Sequence, residues 1–357
     1  MARALKLASR GLYTCDPNPR VGCVFAKNEK IIGEGWHQKT GEAHAEINAL
    51  SNATESVSGA TAYVTLEPCS HHGSTPPCCE ALLAVGVARV VVAMQDPNPL
   101  VCGNGIAFLK QNGIDVTSGL MADQAHTLNP GFVNRMRHSR PWVRAKIASS
   151  LDGKSALNSG ESQWITGVDA RNDGHRWRAR SACILTGSGT VMADNPTLTA
   201  RPADVAVDAI KQPVRAIVAG ARVLPSDATV FNDDAETIVF APEGSSAVEN
   251  LKSTEVVSCT QRNAGKADLR EVLATLAERG INELHVEAGA TLTGALLEQR
   301  LVDEVLLYQA PSALGHAARG ILDIHELKHL SQKIEFSVIG TRRVGQDMRW
   351  ILRPTYG

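Results

Sequence analysis

Short runs of β-branched residues recur along the chain with helical segments between them, and this alternation constrains the fold more than any other feature. The extended runs are "VGCVFAK", "TAYVTLEP", "ARVVVAMQDP", "PWVRAKIASS", "ACILTGSGT", "VRAIVAG", "ETIVFAP", "ELHVEAG" and "DEVLLYQAP". Segments with helical periodicity are "AHAEINALS", "CCEALLAVG", "ADLREVLATLAERG" and "TLTGALLEQRLVDE". Strands that alternate with helices build α/β sheets with a substantial parallel component. A chain of 357 residues is too long for one ordinary domain and suits two, each able to bury its own core. The break is placed at about Arg140, inside "NRMRHSRP", where a basic polar patch ending in Pro141 separates one α/β pattern from a second. Residues 1–140 and 141–357 are therefore read as two domains. "DPNPRV" at Asp16 and "DPNPLV" at Asp96 look alike but are turn-forming hexapeptides, not a repeat architecture.

Charge narrows the function classes. With 36 Lys+Arg against 37 Asp+Glu, no positive excess exists to neutralise a nucleic-acid backbone. Eight cysteines, some beside His and Glu, fit a reducing compartment in which thiols serve metals better than bridges. The opening "MARALKLASRGLYTC" has no apolar signal-peptide core, and no run of about 18 uninterrupted apolar residues occurs. A cytoplasmic protein is expected, with no nucleic-acid partner and no membrane partner.

The strongest chemical signal joins "GEAHAEINALS" to "TLEPCSHHGSTPPCCEAL". A catalytic zinc keeps three nitrogen or sulfur ligands and leaves the fourth position to water. His44, Cys69 and either Cys78 or its neighbour Cys79 supply such a set. Two residues span about 200° of helical turn, so His44 and Glu46 can face one ion only at a helix N-terminus, which "TGEAH" provides. Pro76 and Pro77 likewise precede a helix starting at Cys78, where the macrodipole favours thiolate. Zinc lowers the pKa of bound water, and an unligated Glu46 can take that proton and pass it to a leaving amine. The chemistry expected is hydrolytic deamination. Zinc nucleobase deaminases carry His-x-Glu followed by Pro-Cys-x-x-Cys; here eight residues, not two, separate Cys69 from Cys78. A structural zinc site with His71, His72 or Cys79 as fourth ligand is the alternative, and it leaves Glu46 without a reason. Cys15, Cys23, Cys102, Cys183 and Cys259 are expected to be buried small apolar residues.

In the second half, "HVEAGATLTGALLEQRLVDE" reads as a buried strand from Leu284 to Glu287, a turn at Gly289 and a helix starting near Thr291. Unpaired N–H groups at such a helix start attract a phosphate, which approaches closely where side chains are small. Neither "GSGTVM" nor "AGATLTG" is a Rossmann fingerprint, so the motif rules of that fold do not apply.

"PNPRVGCV", "GEAHAEINAL", "YVTLEPCSHHG", "TPPC" and "DPNPLVCGNGI" together resemble, in order, the deaminase half of the bifunctional riboflavin-biosynthesis deaminase/reductases. "KIASSLDGKSALNSGESQWIT", "ILTGSGTVMADNPTLTAR" and "HVEAGATLTGALLEQRLVDE" resemble the reductase half, so the resemblance covers nearly the whole chain. It implies a cytidine-deaminase-like α/β/α domain followed by a dihydrofolate-reductase-like α/β domain, with Zn2+ and NADPH as cofactors. In the first domain it implies His44, Cys69 and Cys78 as zinc ligands, Glu46 as proton shuttle, and Asn18 and His71 around the pyrimidine. In the second it implies NADPH contacts from Ala148, Trp164, Thr190, Asp194 and the run Gly289, Ala290, Thr291, Leu292, Thr293, Gly294 and Ala295. The ribosyl substrate falls to Ser162, Arg178, Leu198, Arg201 and Glu287; arginine offers the bidentate geometry a ribose phosphate needs. Ser74 stands where many members have Lys or Arg, and Gly220 where the family can carry Ser. Lys146 and Asp194 are the polar candidates for the acid of the reduction.

The activity so implied is deamination of 2,5-diamino-6-(5-phosphoribosylamino)pyrimidin-4-one, then NADPH reduction of the ribosyl group to ribityl. The partner is a small phosphorylated pyrimidine, and a homo-oligomer is expected. One competing assignment is a cytidine- or tRNA-adenosine-type deaminase with an appended nucleotide-binding domain; the near-neutral charge and the long Cys69 to Cys78 loop argue against it. A zinc-stabilised NADPH sensor without turnover is another, and it requires Glu46 to be dispensable.

Overall fold

A computed structural model describes every residue except 72–75, 100, 206–209, 221–222, 246–250, 252–253, 263–264 and 357. The chain divides into two compact units, Met1–Arg140 and Pro141–Gly357. No helix among the described residues is long and apolar enough to cross a membrane.

The first unit carries strands β1 (Gly22–Lys27), β2 (Lys30–Trp36), β3 (Thr61–Leu66), β4 (Arg89–Met94) and β5 (Asp115–Ser118) in the sheet order β2-β1-β3-β4-β5. β1 is antiparallel to β2 and β3, whereas β3, β4 and β5 run parallel. Helices α1 (Ala2–Ala8), α2 (Ala45–Ser51), α3 (Cys78–Ala84), α4 (Asn104–Gln111), α5 (Ala122–Leu128) and α6 (Pro130–His138) cover both faces. Alternation along each strand sorts the residues. Cys23, Phe25, Ala62, Val64, Val90 and Val92 point to one side and pack on Ala45 and Ala49 of α2, Leu82 of α3 and Leu109 of α4. Val24 meets Ala4 and Leu7 of α1 on the other side. The result is an α/β/α sandwich. α2 lies close on β2 because Gly35 has no side chain: a Cβ there would fall 2.2 Å from the amide nitrogen of Ala49.

In the second unit the chain forms β6 (Trp142–Ser149), β7 (Lys154–Ala156), α7 (Val168–Arg180), β8 (Cys183–Gly187), α8 (Ser188–Asp194), β9 (Val214–Val218), β10 (Thr237–Pro242) and β11 (Glu255–Cys259). There follow β12 (Gln261–Arg262), β13 (Lys266–Ala267), α9 (Leu269–Glu278), β14 (Glu283–Val286), α10 (Ala290–Glu298), β15 (Glu304–Gln309), β16 (Arg319–Gly320), β17 (Glu335–Val344) and β18 (Asp347–Thr355). Nine strands make one sheet, β11-β10-β9-β8-β14-β6-β15-β18-β17, parallel from β11 through β15 and antiparallel in the last two. One face is apolar: Val143, Ala145, Cys183, Leu185, Leu284 and Val286 pack against α9 and α10.

The opposite face is divided: Ile184, Ile217 and Val239 form a second apolar cluster with Val191 of α8, and the part made by β14, β6 and β15 is charged. Arg144 sits between Glu283 at 3.0 Å and Glu304 at 2.6 Å, all three side chains at most 8% exposed, with Trp177 of α7 over the guanidinium at 4.6 Å. Asp173 of α7 accepts hydrogen bonds from the Tyr308 hydroxyl at 2.6 Å and Arg349 at 2.7 Å. Burying these charges is tolerable because each has an opposite partner.

The sheet-and-helix alternation matches the expectation, with two differences. Cys102 is exposed rather than buried, because it lies in the turn before α4 and not on a packed element. The helix after Gly289 ends at Glu298 and not within "LVDE", since Arg300 takes a left-handed conformation (φ 58°) and Glu304 begins β15.

Candidate functional site

In the first unit the ligand-type atoms of His44, Cys69 and Cys78 lie within 4.8 Å of one another. His44 is the N-cap of α2, and Cys78 is the first residue of α3 behind the cap Pro77. Cys69 comes from the loop after β3. The His44 Nδ1 atom is 3.3 Å from the sulfur of Cys78 and 3.6 Å from that of Cys69. A tetrahedral ion with bonds of about 2.0–2.3 Å holds its ligand atoms at about these separations, so the donor set fits zinc in chemistry and spacing. Cys79 does not enter the cluster; it is 1% exposed and packs in the core beside Leu82.

Electrostatics within the cluster follow from burial. Glu46, in the first turn of α2 and 3% exposed, has its carboxyl pushed up to about 7, first by burial and then by the charge of Cys69. Such a group exchanges protons near neutral pH. Hydrogen bonding with Cys78 and His44 holds the Cys69 thiol down to about 4, and His44 is raised chiefly by the same contact. Cys78 is shifted upward, chiefly by its hydrogen bond to Cys69 and by burial.

His37, which the motifs did not single out, lies edge-on to His44 with ring centroids 5.7 Å apart. Its Nδ1 lies 3.1 Å from the Ala43 carbonyl, which can only accept, so Nδ1 carries the proton and Nε2 accepts from the Asn18 amide at 3.1 Å. Burial lowers the His37 pKa. Asn18 is thereby tied through His37 to the cluster. His71 is exposed and within electrostatic range of Asp96. His72 and Ser74 lie outside the described residues.

In the second unit two strand-to-helix turns stand side by side. β8 leads through Gly187 into α8, β14 leads through Glu287 and Gly289 into α10, and β8 and β14 are parallel neighbours. The Glu287 amide donates to the Leu185 carbonyl at 2.9 Å, and the Thr186 hydroxyl donates to the Glu287 carbonyl at 2.7 Å. Gly289, the N-cap of α10, brings no side-chain cap, and a Cβ there would touch nothing within 4 Å. That leaves an open helix start at the carboxyl end of a parallel sheet, where nucleotide phosphates are held. Ala290, Thr291 and Leu292 form its first turn; Thr293 and Gly294 face inward, Gly294 so close to Asp323 that a Cβ would lie 2.1 Å from its carbonyl. Ala295 packs on the core. Thr190 and Asp194 are on α8, and Asp194 accepts a hydrogen bond from Ser162 at 3.5 Å. Ala148 is on the charged face of β6 opposite Tyr308. Trp164 is 69% exposed, with the Arg171 guanidinium 4.4 Å over its ring. The Gly220 amide donates to the Ser188 hydroxyl at 3.2 Å.

Arg178 and Glu287 meet each other. The guanidinium makes a bidentate pair with the carboxylate at 2.5 and 2.7 Å and donates to the Thr199 carbonyl at 3.0 Å. The Arg178 charge holds the Glu287 carboxyl well below its usual range despite burial. Lys146 and His285 border this pair, and burial lowers the pKa of each. Arg201 donates to the hydroxyls of Thr199 at 2.6 Å and Thr197 at 3.2 Å, so the two arginines converge on Thr199. His175, pushed down to about 4 by burial and by Arg178 and Arg201, accepts the Arg201 amide at 3.2 Å. Leu198 is 2% exposed, with its side chain in the core beside Ile184 and Val191.

A His-Cys-Cys centre beside a buried glutamate has the make-up of a zinc deaminase, and the open helix start at the carboxyl end of the second unit's parallel sheet that of a nucleotide-binding enzyme. Residues 1–94 match the cytidine and deoxycytidylate deaminase zinc-binding region, and residues 141–349 match the RibD C-terminal domain. The riboflavin biosynthesis protein RibD of Escherichia coli (strain K12) is 47% identical over 98% of this chain and 96% of its own length; that of Bacillus amyloliquefaciens is 40% identical over 100% and 96%. Among solved structures, RibD of Acinetobacter baumannii superposes with a TM-score of 0.92 at 41% identity, covering 99% of this chain and 98% of that one. A deaminase/reductase structure from Thermotoga maritima gives a TM-score of 0.88 at 34% identity, over 99% and 97%. The chain belongs to the RibD family of bifunctional deaminase/reductases of riboflavin biosynthesis. Zinc and NADPH are the cofactors of its two activities.

Proposed function

We propose that the first unit deaminates 2,5-diamino-6-(5-phosphoribosylamino)pyrimidin-4-one and that the second reduces the ribosyl group of the product, each with the residues gathered above. The observation that carries this is the convergence of His44, Cys69 and Cys78 beside a buried Glu46 whose carboxyl sits near 7. Zinc, when bound, supplies the Lewis acidity that makes water a nucleophile near neutral pH. Glu46 accepts the proton that the attacking water loses and delivers it to the exocyclic amine, which leaves as ammonia. Asn18, oriented by His37, and His71 hold the pyrimidine.

In the second unit Ala148, Trp164, Thr190, Asp194 and the start of α10 receive NADPH, which supplies hydride. Arg201 takes the substrate phosphate. Arg178 is committed to Glu287, so it serves by fixing that carboxylate to accept ribosyl hydroxyls, with Ser162 and Leu198 completing the site. We further propose a cytoplasmic homo-oligomer, and no nucleic-acid partner, for the last of which the balanced charge is the support.

Metal removal tests the division of labour. Dialysis against a zinc chelator is expected to abolish ammonia release, zinc to restore it, and NADPH oxidation with deaminated substrate to stay unchanged throughout. Ammonia release that survives verified zinc loss would contradict the assignment.

A further inference from the structure

The deaminase centre has a support that its motif does not reveal. Glu67 directly follows β3, two residues before the ligand Cys69, and it is 3% exposed. Its carboxylate accepts four backbone N–H groups. One oxygen takes Gly105 at 2.9 Å and Ile106 at 3.1 Å, and the other takes Gly103 at 3.0 Å and Asp96 at 3.1 Å. All four donors belong to the segment from Asp96 into the first turn of α4. A helix start is ordinarily capped by the side chain of its own N-cap residue, but the N-cap of α4 is Gly103, which has none. The acceptor comes instead from the loop after β3, which delivers a zinc ligand.

The contact is close on the far side as well. Gly105 lies so near the Pro68 carbonyl that a Cβ would fall 2.1 Å from its oxygen. Pro68 is the single residue between Glu67 and Cys69. Beyond it, Cys69 is gripped by α3: its carbonyl accepts the Cys79 amide at 3.2 Å, and its sulfur accepts the Cys78 amide at 3.2 Å. The stretch from Glu67 to Cys69 is thus clamped between α4 and α3.

We propose that Glu67 is a positioning residue for zinc: by binding the backbone of the Asp96 to Ile106 segment it fixes where the Cys69 sulfur stands. Outer partners that orient metal ligands typically govern metal affinity about 10–100-fold. This inference rests on the zinc-deaminase assignment. If that assignment failed, the wild-type protein would show no zinc-dependent ammonia release, whereas failure of the present inference leaves wild-type turnover intact.

Two variants test it in the full-length protein. Glu67→Gln keeps the size of the side chain but turns an amide nitrogen toward two of the four backbone donors. Gly105→Ala keeps the carboxylate but loosens the clamp from the other side, its Cβ pressing on the Pro68 carbonyl and lying 3.4 Å from the Glu67 Cγ. Zinc affinity is read by competition with a chromophoric chelator, and the geometry of the centre by the visible spectrum of the cobalt-substituted protein. In both variants zinc affinity is expected to fall about 10–100-fold and the cobalt bands to shift. Deaminase kcat at saturating zinc falls with KM unchanged, and reductase turnover holds. A lowered melting temperature with wild-type zinc affinity, cobalt spectrum and zinc-saturated kcat, the behaviour of a helix cap alone, would overturn the inference. If Glu67→Gln yields no folded first unit, Gly105→Ala decides by the same readouts.

Discussion

Glu46→Gln is expected to lower the deaminase kcat about 10³-fold, while the reductase step keeps its wild-type rate when deaminated substrate is supplied. The amide cannot accept the proton that attacking water must lose, nor return it to the leaving amine. The magnitude corresponds to about 4 kcal/mol in the barrier. Glutamine also removes the need to bury an ionisable carboxyl, so the first unit is expected to fold at least as well as the wild type. That separates loss of chemistry from loss of structure. Deaminase turnover unaffected by the substitution would remove Glu46 from the mechanism and favour a zinc site with a purely structural role.

Arg178→Met is expected to be the most damaging single change in the second unit. It strands the Glu287 carboxylate in a partly closed site; breaking a buried pair by removing one partner costs about 3–5 kcal/mol. The side chains of the pair are 16% and 15% exposed, and Lys146 stands close enough to compensate in part, so the expected loss is about 3 kcal/mol. Reductase kcat/KM falls with it, because Glu287 loses the fork that aims it. Equilibrium unfolding resolved by domain measures the first effect and NADPH oxidation the second, with ammonia release as the internal control. A variant of wild-type stability and reductase activity would show that the pair does neither job.

Much of this was legible in the sequence, for reasons that can be localised. His44 and Glu46 are two residues apart, and only a helix start lets both face one ion; the N-cap position of His44 is that start. The turn at Gly289 was legible because a strand, a small residue and a helix follow within one local stretch. What depended on long-range pairing was not. Cys78 and Cys79 follow the same two prolines, and only the packing of α3 decides which sulfur turns to the metal and which to the core. Arg178 and Glu287 are 109 residues apart, so nothing local told that the arginine would hold the carboxylate instead of a phosphate. Leu198 matched the family pattern, yet its side chain is core. Glu67 stood in plain view in "TLEPC", but its four partners lie 29 to 39 residues on, beyond any periodicity.

The account stands most directly on the masses of the products. The diaminopyrimidinone ribosyl phosphate is incubated with purified, zinc-loaded protein, with and without NADPH, and followed by mass spectrometry. Exchange of the amino group for oxygen should raise the mass by one unit without the cofactor, and two further units should appear only when NADPH is present. An unchanged mass in both samples, or reduction before deamination, would contradict the two-step account.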